Sequence, residues 1–126
     1  MHWRTLTAIV IAAVLTGTAA TTATALPRRP NKAGWQKIQT AAHLRHTALA
    51  RHRSARFRSF TAMLGLEQLD SVQPLAPGRC QTAVIDLHNN LLDLQDAIAG
   101  EDWNPLRRAV AKEPSIRACA PRRNRH

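Results

Sequence analysis

Residues 43–58 carry five arginines and three histidines in sixteen positions, with no acidic residue among them. Arg45, Arg51, Arg53, Arg56 and Arg58 are the candidate contact residues. A guanidinium is planar, permanently charged and offers a fork of N–H donors that matches phosphate and carboxylate oxygens. Short clusters such as Arg51-His52-Arg53 and Arg56-Phe57-Arg58 therefore suit anionic polymers. The competing use of the same charge is internal, against the acids of residues 67–102.

Other residues bear different chemistry. His43 and His46 are three apart and could reach one metal ion from a helix, but five nearby arginines oppose a divalent cation. His88 falls in the middle of an apolar helical arc, with Gln95 two turns further on. It is either a core histidine hydrogen-bonded by Gln95 or an axial ligand to haem in a helical bundle. There is no CxxCH motif, so covalently attached haem is excluded, and no cofactor is expected. Asp86, Asp93, Asp96, Glu101 and Asp102 have no partner nucleophile or glycine-rich loop. No GxSxG, P-loop, HExxH or dinucleotide fingerprint is present, and the chain is expected not to be an enzyme.

These residues must be positioned by a short chain. Its 126 residues make one domain the expectation. Residues 1–25 read as a cleaved secretory signal: Arg4 in the n-region, an apolar run from Leu6 to Leu15, and Ala23-Thr24-Ala25 as a small-x-small cleavage site. The threonines at 16, 18, 21, 22 and 24 dilute this segment as a membrane span. The expected mature chain begins at Leu26 and carries two cysteines, Cys80 and Cys119, which in an exported protein are expected to pair. Of the 18 basic residues 15 are arginine, a composition that suggests a GC-rich bacterial genome. Charge is distributed in blocks. Residues 26–58 hold nine positive charges and no negative one, residues 59–104 hold seven acids against Arg79, and residues 105–126 hold seven positive charges against Glu113.

Residues 26–31 form an extended arm with three constraints on helix, Pro27, Pro30 and the N-cap candidate Asn31. Residues 32–64 lack proline and are rich in alanine and arginine, which predicts a long helix. On one continuous wheel Trp35, Ile38, Ala42, Leu49, Phe60, Met63 and Leu64 share an apolar arc. Arg45, His46, Arg53 and Arg56 intrude on that arc, so the alternatives are one helix with a basic middle or two helices meeting near residues 52–54. Gly65 would end or bend it, and residues 73–78 form a loop.

From Cys80 to Ala99 the wheel divides cleanly. Val84, Ile85, Leu87, His88, Leu91, Leu92, Leu94 and Ile98 take one half; Thr82, Asp86, Asn89, Asn90, Asp93 and Asp96 take most of the other. Gly100 is a stop signal, and Asn104-Pro105 opens a short helix that ends before Pro114. A helical turn in residues 114–119 then returns Cys119 to Cys80, and residues 120–126 form a basic tail expected to be disordered.

The expected fold is all-α: a long N-terminal helix, whole or broken, packed on a short disulfide-tied helical hairpin in residues 32–119. The expected function is that of a small exported non-catalytic protein contacting an anionic envelope or extracellular polymer. Export argues against genomic nucleic acid as the partner. The alternatives are a haem- or metal-binding bundle using His88 and a membrane-active basic protein. The latter draws on Trp35, Phe57 and Phe60 within a basic segment, although its arginines intrude on the apolar face instead of opposing it.

Overall fold

The computed structural model describes residues 25–101 and 103–122. Of the expected signal peptide only Ala25 is among them, and the tail is described to Arg122. The described residues form four helices, α1 (Lys32–Ala48), α2 (Ala55–Asp70), α3 (Arg79–Gly100) and α4 (Trp103–Ala111), followed by a 3-10 turn, Arg117–Cys119. No strand occurs among them, and no helix is long and apolar enough to cross a membrane.

The N-terminal helical segment is broken. α1 begins where Asn31 Oδ1 accepts the Gly34 N–H at 2.8 Å, and it ends at Ala48. A tight turn occupies residues 49–54, with the Ala50 N–H donating to the Thr47 carbonyl and the Arg53 N–H to the Ala50 carbonyl. Ser54 then starts a fresh helix, its hydroxyl accepting the Phe57 N–H at 3.2 Å. A serine N-cap supplies one acceptor to a helix start that has four orphan donors.

The break resets the helical phase. In α1 the buried positions include Ile38, Ala41, Arg45 and Ala48. In α2 they are Arg58, Thr61, Ala62, Gly65, Leu66 and Leu69. The single arc across residues 35–64 is therefore corrected: Phe60 is 53% and Met63 37% exposed. Gly65 neither ends nor bends α2. It is a place of close approach, where an added Cβ would lie 3.1 Å from Leu91 Cδ1 and 3.6 Å from the Ala41 carbonyl oxygen.

α3 is the central element, packing on α2 and α4 and on the 3-10 turn. Its Leu87, Leu91, Leu94 and Ile98 are buried as the wheel predicts, while Ile85 and Leu92 stay exposed at the edges of the arc. The main apolar cluster joins Ile38, Ala41, Ala62, Leu66, Leu69, Leu75, Leu87 and Leu91. A smaller one joins Leu94 and Ala97 to Leu106 and Ala109 of α4, with Leu49 against it. α3 ends past Gly100, and Glu101 takes the left-handed conformation with φ 52°. Cys80 and Cys119 form the expected disulfide, with Cα atoms 4.7 Å apart. It ties the start of α3 to the 3-10 turn.

Candidate basic contact surface

The five arginines of residues 43–58 divide into two groups. Arg45 is 2% exposed. Its Nε donates to Asn90 Oδ1 and its Nη2 to the Ala109 carbonyl, with Nη1 3.7 Å from Glu113 Oε1. Ala109 lies in the last turn of α4, where carbonyls have no intrahelical partner. Asn90 Nδ2 donates to the same carbonyl and to that of Lys112, each at 3.0 Å. Arg45 and Asn90 together therefore cap α4 from inside the protein. A cation is also favoured there by the helix dipole. Burial pulls the Arg45 guanidinium below the ordinary arginine range, and the Glu113 carboxylate opposes that shift.

Arg58 repeats the device. It is 5% exposed, and its Nε donates at 2.8 Å to the carbonyl of Ala48, the last residue of α1. Its Nη2 is buried without a hydrogen-bond partner. Arg45 and Arg58 are thus corrected from contact residues to internal helix caps.

Arg51, Arg53 and Arg56 remain fully on the surface, on the turn and the first residues of α2. Arg51 stacks over the Trp103 ring at 5.7 Å, and Arg53 over the Phe57 ring at 5.2 Å. Stacking of this kind uses the face of the guanidinium and leaves its in-plane N–H donors directed outward. Arg107 of α4 joins Arg51 and Trp103 in lining one shallow groove of about 340 Å³. The result is a basic and aromatic rim where the α1–α2 turn meets the start of α4. Glu101 lies on the α3 side of the same end.

The histidines are not assembled into a site. His46 Nε2 lies 2.8 Å from Glu113, and His43 is exposed. Among the described residues no group of three or more His, Cys, Asp or Glu is placed to hold a metal ion. His88 is corrected from a core position: its side chain is 36% exposed and its Nε2 stands 3.5 Å from Asp70 Oδ1 at the end of α2. Gln95 is half-buried and does not reach it. The acids Asp86, Asp93 and Asp96 lie on the exposed face of α3 as expected.

Sequence reasoning missed Asn90, which the wheel assigns to the polar half of α3. Its signal would have been the need of a nine-residue helix, α4, for donors at its C-terminal end. No protein-family model, no curated protein and no solved structure shows a significant match to the chain.

Proposed function

We propose that this is a small exported, non-catalytic helical protein that binds an anionic polymer of the cell envelope or extracellular space through Arg51, Arg53 and Arg56. The observation that carries the reading is the division of the arginines. Two that could find carbonyl partners inside the fold do so, whereas these three are held outward on a turn. Two of the three are braced on aromatic rings, which lowers the side-chain entropy lost on binding an anion. Export rests on the leader-like residues 1–25 and agrees with the disulfide.

The test is retention on a sulfated-polysaccharide column along a salt gradient. The triple variant R51Q/R53Q/R56Q is expected to elute at clearly lower salt than K32Q/R108Q/K112Q. The second variant removes the same three charges from exposed positions elsewhere. Equal elution of the two variants would reduce the surface to bulk charge and overturn the reading.

A further inference from the structure

A second convergence of arginines lies at the other end of α3. Arg28 and Arg29 of the N-terminal arm, Arg79 at the first position of α3, Arg117 of the 3-10 turn, and Arg122 line one cleft of about 960 Å³. Gly78, Cys80, Ser115 and Ala118 complete its lining, and no acidic residue belongs to it. Asp86 is nearby only in the adjoining groove, two turns along α3.

The fold brings these distant residues together by specific bonds. The Ala76 N–H donates to the Pro27 carbonyl at 2.8 Å, which fixes the arm against the loop before α3. Arg29 Nη1 donates to the Ala120 carbonyl at 3.4 Å, which joins the arm to the C-terminal segment. The Cys80–Cys119 disulfide holds the 3-10 turn beside the start of α3.

Stability alone does not account for the arrangement. The N-terminal end of a helix favours negative charge, yet α3 has no acid in its first turn and no side-chain cap at Gly78. Arg79 places a cation at that positive end. Four further guanidinium side chains surround it, and like charges gathered in a cleft raise its potential. A polyvalent oxyanion reverses each of these costs at once. It accepts from arginine forks, and it meets N–H groups of the first turn that have no intrahelical partner.

We propose that this cleft is a binding site for a phosphoryl group carrying two or more negative charges. It is separate from the basic rim: α3 spans 22 residues, so the two lie about 33 Å apart along it. The same chemistry is presented by a free phosphoanion and by the phosphates of a polymer.

Pyrophosphate titration of the disulfide-intact full chain, followed by amide NMR and calorimetry in buffered sodium chloride, tests the proposal. Saturable shifts are expected at Arg79, Cys80 and Ser115. R79Q/R117Q is expected to weaken binding at least tenfold, and R108Q/K112Q, with the same charge change, less than twofold. Arg79 and Arg117 are exposed, so the fold should survive, and circular dichroism checks that it does. Should the variant unfold, the shifts in the wild-type chain decide by their location. Titration with long-chain polyphosphate identifies the source: tighter binding per phosphate points to a polymer, and equal binding to a free anion. Absence of a saturable site, shifts centred elsewhere, or equal loss in the two variants would overturn the proposal.

Discussion

Removing the Arg45 guanidinium would leave Asn90 Oδ1 without its donor and the C-terminal end of α4 with one cap fewer. Each buried polar group stranded in this way costs about 1–3 kcal/mol. Arg45→Met is therefore expected to lower unfolding stability by roughly 2–4 kcal/mol, measured by urea denaturation. Arg45→Lys should recover only part, because one ammonium cannot donate from two ends of a planar fork. A change below about 0.5 kcal/mol in Arg45→Met, the range of ordinary surface substitutions, would contradict the cap role. Arg45 was legible in the sequence to the extent that it falls inside the apolar arc of α1. Arg58 was not, because its place on the buried stripe of α2 appears only after the phase is reset at Ser54. Asn90 was hidden for a different reason: its burial is set by carbonyls of α4, which no periodicity of α3 encodes.

The helices themselves are held by local signals of uneven clarity. Asn31 and Ser54 act as N-caps, and both side-chain types announce that role. The end of α3 is less direct. Gly100 is still helical, and it is Glu101 that adopts the left-handed conformation. For a residue with a Cβ that conformation costs about 1–2 kcal/mol, which glycine avoids at the expense of greater unfolded-state entropy. Glu101→Gly is expected to raise stability by about 0.5–1 kcal/mol, read from thermal unfolding with the α-helical signal unchanged. A loss of stability would show that the Glu101 side chain contributes more than its backbone strain costs. The fold class and the α3–α4 hairpin were legible because leucine periodicity and proline placement are strong patterns. The pairing of α1 with α2 was not, since the small residues Ala41, Ala62 and Gly65 that allow close approach carry little hydrophobic signal.

At the scale of the molecule, a modest core is stapled once and charged at both ends. The disulfide closes 39 residues, which in the chain-entropy model contributes about 3–4 kcal/mol. Replacing both cysteines by serine is expected to cost that amount in equilibrium unfolding; an unchanged midpoint would mean the 3-10 turn is held by its packing alone. The acids of residues 59–104 offset the basic blocks only in part. Among the described residues their pairing to arginine and histidine is limited to Glu113 with Arg45 and His46 and to Asp70 with His88. Exposed pairs of that kind contribute little, so most of the arginine surface is left for other anions. The division of the arginine run into internal caps and outward contacts is tested most directly by the salt dependence of polyanion binding. Each arginine that meets a charged group should contribute about one unit to the slope of log affinity against log salt. R51Q/R53Q/R56Q is expected to lower the slope by about two to three relative to wild type with its unfolding midpoint unchanged. A wild-type slope in that variant would contradict the account.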